Sequence, residues 1–202
     1  MLNYSDNIEF KIALIGEPEV GISSLIKLAT GKSFEDEPDL TKKYYKETIV
    51  YNNHSYTYIL WEPFGMQRHR PFTKLFIKNA RIVLIIFAIN NKKSFEEVDY
   101  WYKYIKDTIG ADDECIIALV GNKSDLHDEQ EVSNEEVEKK ANELNIKYKI
   151  ISAKTDGEGF KKFLNELLEE YINKYLSKEI KASTYKIETN KKNIKNKNKC
   201  NN

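Results

Sequence analysis

Apolar residues recur along this chain in two alternating rhythms. FKIALI, from Phe10 to Ile15, is a short β-prone run that ends at Gly16, and a helical stretch, ISSLIKLAT, follows Gly21. A charged segment from Gly31 to Lys43 then leads to two β-prone runs, Tyr44 to Tyr51 and Ser55 to Trp61. The Asn52-Asn53 step between them predicts a hairpin. Polar sequence from Glu62 to Arg70 precedes Pro71 and a predicted helix to Asn79. The run IVLIIFAI, Ile82 to Ile89, is continuous rather than alternating, as in a strand buried on both faces of a parallel sheet.

The alternation continues to residue 176. Ser94 is the expected cap of the helix FEEVDYWYKYIKDTI, and IIALV is the next strand. SNEEVEKKANEL opens with a capping box from Ser133 to Glu136, and YKIIS follows as a strand. The last helix, Gly159 to Leu176, should bury Phe160, Phe163, Leu164, Leu167, Leu168 and Tyr171 at three- and four-residue spacing. Strands alternating with helices predict an α/β fold: a mostly parallel sheet covered on both sides, with one antiparallel hairpin. Ligands of such sheets sit at the carboxyl ends of the strands.

Charge adds a division of the chain. Of its 202 residues, Lys and Arg number 32 and Asp and Glu 32, so the net charge is zero. From Lys181 onward seven lysines face the single Glu188, a surplus of +6, which leaves about −6 on the rest. An acidic body argues against wrapping nucleic acid, whereas the basic end could approach an anionic membrane. Residues 8–176 are therefore expected to form one domain, and 177–202 a flexible tail without periodic apolar positions. The N-terminus has no basic-then-apolar leader pattern, and no apolar run reaches membrane-spanning length. With Cys115 and Cys200 alone, no structural disulfide is expected, which suits a reducing, cytoplasmic compartment.

Two short motifs sit at consecutive strand ends. Asn122-Lys123-Ser124-Asp125 directly follows IIALVG. A guanine base offers N1–H and N2–H₂ as donors, and one carboxylate can accept both; adenine lacks that donor pair, so Asp125 would select the base. Asn122 can tie this loop to the one after the first strand, and the Lys123 stem can cover a ring face. An ordinary surface loop could have the same composition. Ser152-Ala153-Lys154, placed after the next strand, resolves that ambiguity, since two such motifs in this order are hard to obtain by accident.

VGNKSDL and ISAK resemble the fourth and fifth boxes of Ras-superfamily small GTPases, and the similarity covers about residues 8 to 176. Trp61 ahead of a degraded DxxG box and SFEEVDYWYKYI are similar to the Rab branch. The resemblance implies a P-loop GTPase fold with a six-stranded sheet. It also implies GTP or GDP as ligand with Mg²⁺, and effector and regulatory proteins as partners. It places Ser152, Ala153 and Lys154 over the base, with a backbone amide meeting the guanine oxygen, and Phe34 against the base edge.

The phosphate-handling boxes depart from the family pattern. Gly16-Glu17-Pro18-Glu19-Val20-Gly21-Ile22-Ser23-Ser24 keeps both glycines of a phosphate loop, and Ser23 stands where a hydroxyl would ligate Mg²⁺. Ile22 replaces the lysine that meets the β- and γ-phosphates. Losing one partner of a buried charged pair costs roughly 2–5 kcal/mol, on the order of 30- to 4,000-fold in affinity. Glu17 and Glu19 add like charge, and Pro18 removes an N–H. In Trp61-Glu62-Pro63-Phe64-Gly65-Met66-Gln67-Arg68, Gly65 is kept and could sense a γ-phosphate. Glu62 replaces the Mg²⁺-holding aspartate with one methylene too many. Met66 replaces the glutamine that orients the attacking water, which a thioether cannot do. Thr41 has the family spacing for a metal-ligating threonine, although threonine is equally at home in a plain loop.

Three readings follow. The first is a Rab-like switch in vesicle traffic, with weakened nucleotide binding and little hydrolysis. The second is an interaction scaffold that is nucleotide-free or locked in one state. The third is an active GTPase that recruits Lys42 or Lys43 in place of the missing lysine. Cys200 is open to two readings, a single lipid site beside a polybasic run or an incidental tail cysteine.

Overall fold

The structure, a computed structural model, describes residues 8–32, 44–61, 70–110 and 114–176, with 70–72 as backbone only. Strand β1 spans Ile8–Gly16 and helix α1 Ile22–Ala29. Strands β2 (Tyr44–Tyr51) and β3 (His54–Trp61) form the hairpin, turned by Asn52 and Asn53 at φ 51° and 61°. Then come α2 (Arg70–Ile77), β4 (Ala80–Ala88), α3 (Lys92–Glu96), α4 (Val98–Ile109) and β5 (Ile116–Asn122). Helix α5 (Asn134–Leu144), β6 (Lys147–Ile150) and α6 (Gly157–Tyr171) complete the domain, and a π turn (Ile172–Leu176) extends the last helix.

The six strands lie in the order β2-β3-β1-β4-β5-β6, and all neighbours are parallel except β2 and β3. This is the sheet that the strand–helix alternation predicts. Side chains alternate across it, so each central strand feeds two cores. Ile12 and Leu14 of β1, with Ile82, Leu84 and Ile86 of β4, pack under α1 and α6. Ala13 and Ile15, with Val83, Ile85 and Phe87, pack under α4 and α5. A strand buried on both faces has no polar side to show, which is why its sequence reads as a continuous apolar run.

Helix α6 buries Phe160, Phe163, Leu164, Leu167, Leu168 and Tyr171, the stripe predicted from spacing. Ser133 and Glu136 form the expected capping box of α5. One expected cap differs. Ser94 lies inside α3, where its Oγ meets the Ala88 amide at 3.1 Å and the Asn91 carbonyl at 2.7 Å; Asn91 is the cap. The single helix expected from Phe95 is broken at Glu97, at φ −76° and ψ −4°. Buried Ser94 satisfies the end of β4 instead, a contact across space that local spacing does not encode.

Lys11 on β1 donates to the carbonyls of Leu75 and Lys78, at 2.8 and 3.2 Å, near the carboxyl end of α2. A cation suits the unpaired carbonyls at that end. Burial holds the Lys11 pKa below its ordinary value.

Tyr58, opposite Glu47 in the hairpin, has its phenol pKa pushed up to about 12, first by burial and then by the Glu47 charge. The folded chain therefore keeps a proton that the unfolded chain releases above about pH 10. Stability from this group is full below pH 10 and is lost as pH rises through about 12, by on the order of 2 kcal/mol. Urea unfolding on either side of pH 10 should show a steeper alkaline loss for the native chain than for Tyr58→Phe. Equal slopes would contradict this placement of Tyr58.

Candidate functional site

At the carboxyl ends of β1, β5 and β6 the chain leaves the sheet in three loops, and these enclose a cleft of about 510 Å³. That volume is in the range of small-molecule sites. Glu19, Gly21, Ile22, Ser23 and Ser24 line one end; Asn122, Lys123, Asp125, Leu126, Ala153 and Lys154 line the other. Residues from the two sequence motifs and the glycine-bounded loop thus meet in one place.

Asn122 joins the loops. Its side chain is 1% exposed; Nδ2 donates to the Val20 carbonyl at 2.8 Å, and Oδ1 accepts from the Ala153 amide at 2.9 Å. The contact with the first loop, anticipated for Asn122, is direct. It also explains Gly21, whose φ is 92° and whose hypothetical Cβ would lie 2.3 Å from Asn122 Nδ2. Gly16 is needed for a second close approach, because a Cβ there would lie 2.2 Å from the Ile86 carbonyl oxygen. The loop is therefore held close at both of its glycines.

Ser152 holds Asp125. Its hydroxyl donates to Asp125 Oδ1 at 2.5 Å and accepts from the amides of Lys154 and Thr155, both at 3.1 Å. A hydroxyl has one donor and two acceptor positions, so this fully buried group is satisfied. One Asp125 oxygen is clamped, and the carboxylate keeps acceptor capacity for a ligand in the cleft it lines. Lys123 stands at φ 68°, Ser124 donates its amide to the Ile151 carbonyl at 3.0 Å, and the exposed Lys154 also lines the cleft.

The other end of the cleft is electrostatically different. Helix α1 begins at Ile22 with no side-chain cap and no acidic residue in its first turn, and its first-turn amides have no partner within the helix. Such a helix start favours an anion. Ile22, at 2% exposure, belongs to the apolar cluster under α1 and also lines the cleft. Glu19 stands exposed at φ 68°, a left-handed geometry that favours glycine. Glu17 behaves differently from Glu19: its carboxylate accepts from the Trp101 indole N–H of α4 at 3.1 Å.

The donor set fits a guanine base better than a triphosphate. For Mg²⁺, Ser23 supplies one hydroxyl at the cleft, and phosphate oxygens and water would have to complete the shell. Among the described residues no group of three or more His, Cys, Asp or Glu could hold a metal. Phe34, Thr41, Lys42, Lys43, Glu62, Gly65, Met66 and Cys200 lie outside the described residues. Three contributors were not legible beforehand: the Val20 carbonyl, the Ser152 clamp on Asp125 and the Trp101 bond to Glu17. Each links residues far apart in sequence, and no local pattern marks them.

The sheet order, the tight loop after β1 and the strand-end loops after β5 and β6 define a Ras-like P-loop GTPase fold. The model of the Ras family matches residues 11–174, most of the chain, and the protein belongs to that family. Members generally bind GTP or GDP with Mg²⁺ and act with effector and regulatory proteins. Among the described residues no helix is long and apolar enough to cross a membrane.

Replacing Asn122 by alanine should strand the buried Val20 carbonyl and Ala153 amide, at about 1–3 kcal/mol for each group. Urea unfolding measures the loss. A change within about 0.5 kcal/mol, the level of an ordinary surface substitution, would show that these loops do not depend on Asn122.

Proposed function

We propose that this chain is a Rab-like guanine-nucleotide-binding protein with weakened nucleotide affinity and little intrinsic GTP hydrolysis, acting in membrane traffic through partner proteins. The observation that carries the reading is the contrast inside one cleft. Asn122 bonds to Val20 and Ala153, and Ser152 bonds to Asp125, which supports a frame for a guanine base with acceptor capacity left on Asp125. At the opposite end the family's lysine position holds buried Ile22. Base recognition needs donors and acceptors in fixed places, and these are present. Phosphate binding needs positive charge, and among the described residues at that end of the cleft it is the backbone amides of the first turn of α1 that offer attraction.

Little hydrolysis follows from chemistry at two positions. Transfer of a phosphoryl group to water depends on neutralising charge and on positioning the water. Ile22 cannot neutralise, and Met66 cannot orient water through a thioether. The Rab-like assignment rests on Trp61 ahead of the altered third box and on the helix sequence SFEEVDYWYKYI. The basic tail with Cys200 supports peripheral attachment to the cytosolic face of a membrane.

Titration of the purified chain with fluorescent GDP and GTP in Mg²⁺ should give saturable binding that is on the order of 30-fold or more weaker than with Ile22→Lys. Absence of saturation up to high micromolar ligand would reject nucleotide binding.

A second reading, an interaction scaffold held in one state, is favoured by the same buried Ile22 together with left-handed Glu19. The double variant Ile22→Lys, Met66→Gln should then gain both binding and turnover, followed by phosphate release. Hydrolysis by the native chain at a rate usual for the family would defeat this second reading.

A further inference from the structure

We propose that the cleft sorts guanine ligands by phosphate number, holding GDP in preference to GTP, so that a third phosphate acts against binding. The inference rests on the guanine-site reading above and adds an order of ligands that the reading does not require.

Between Gly16 and Ser24 the loop carries two carboxylates and no cation. Attraction for an anion comes from the first turn of α1, where the amides of Ile22, Ser23 and Ser24 precede the first helical bond, Leu25 N–H to the Gly21 carbonyl. Three N–H groups match the three free oxygens of one phosphate group, and the effect of a helix terminus falls off within that first turn. Pro18 contributes no N–H to widen the cradle. Among the described residues, a phosphate beyond the one held there meets the Glu19 carboxylate and no cation of the loop.

The repulsion has an identifiable source. Glu17 is drawn toward α4 by the Trp101 indole, whereas Glu19 lines the cleft with its side chain exposed. The two lysines of the lining, Lys123 and Lys154, belong to the base loops after β5 and β6. Buried Ile22 closes the place from which a cation would otherwise reach the outer phosphates. The body of the chain, at about −6, adds a background of the same sign. Sorting of this kind would make the protein a reader of GDP rather than a switch thrown by GTP.

Label-free calorimetry on the full chain, in Mg²⁺, with guanosine, GMP, GDP, GTP and ATP tests this. GDP should bind at least about tenfold more tightly than GTP, with ATP weaker than either. Glu19→Gln, an exposed change that spares the core, should narrow the GDP–GTP gap by about two- to fivefold. Added salt should narrow it as well, since exposed charges are screened. If guanine ligands bind but GTP equals or exceeds GDP, this inference falls and the guanine-site reading stands. If the gap is present but unchanged by both Glu19→Gln and salt, the electrostatic origin argued here is wrong. If none of the guanine ligands binds more tightly than ATP, the base-site reading falls and takes this one with it.

Discussion

One buried side-chain amide governs the geometry of the whole cleft. Asn122 offers a donor to the Val20 carbonyl and an acceptor to the Ala153 amide, so the ends of β1, β5 and β6 share a single polar group. In a buried setting neither partner can turn to water, and an unmet hydrogen bond there is expensive. The three loops are therefore tied to one another through this one side chain. Gly21 is the counterpart of this bond, because the space a side chain would need is taken by the Asn122 amide.

From that frame the two ends of the cleft diverge. At the end formed by the loops after β5 and β6, the Ser152 hydroxyl uses every hydrogen-bonding position and holds one oxygen of Asp125. At the end formed by the loop after β1, the lining is apolar and acidic instead. The tight backbone and the uncapped helix α1 remain, while buried Ile22 and exposed Glu19 occupy the lining. Fold and chemistry have separated here. The loop keeps its shape because glycine placement and the Asn122 bond maintain it, and neither depends on a lysine. Trp101 shows the same independence, since its bond gives Glu17 a partner outside the cleft.

Strand and helix identities were legible because burial imposes periodicity. The two-faced β4, the amphipathic α6 and the capping box of α5 each follow from spacing within a few residues. Element ends were less legible: β5 runs on to Asn122, and the helix expected from Phe95 starts earlier and breaks at Glu97. The reason is visible at Ser94, which bonds to the end of β4 and so serves tertiary structure rather than its own helix. At the site, residue types with strong chemical meaning, Asn122, Asp125 and the apolar Ile22, could be read directly.

The amino-acid order by itself determined the α/β alternation, the family resemblance and the absence of Lys and Arg between Gly16 and Ser24, since these depend on local spacing and residue identity. Only the tertiary structure decided which groups hold them in place: that Asn122 bridges Val20 and Ala153, that Ser152 aims Asp125, and that Trp101 takes Glu17 while Glu19 faces the cleft. Those pairings join residues from about 27 to 102 positions apart. Their partners are set by how strands stack side by side, and a one-dimensional pattern carries no record of that adjacency.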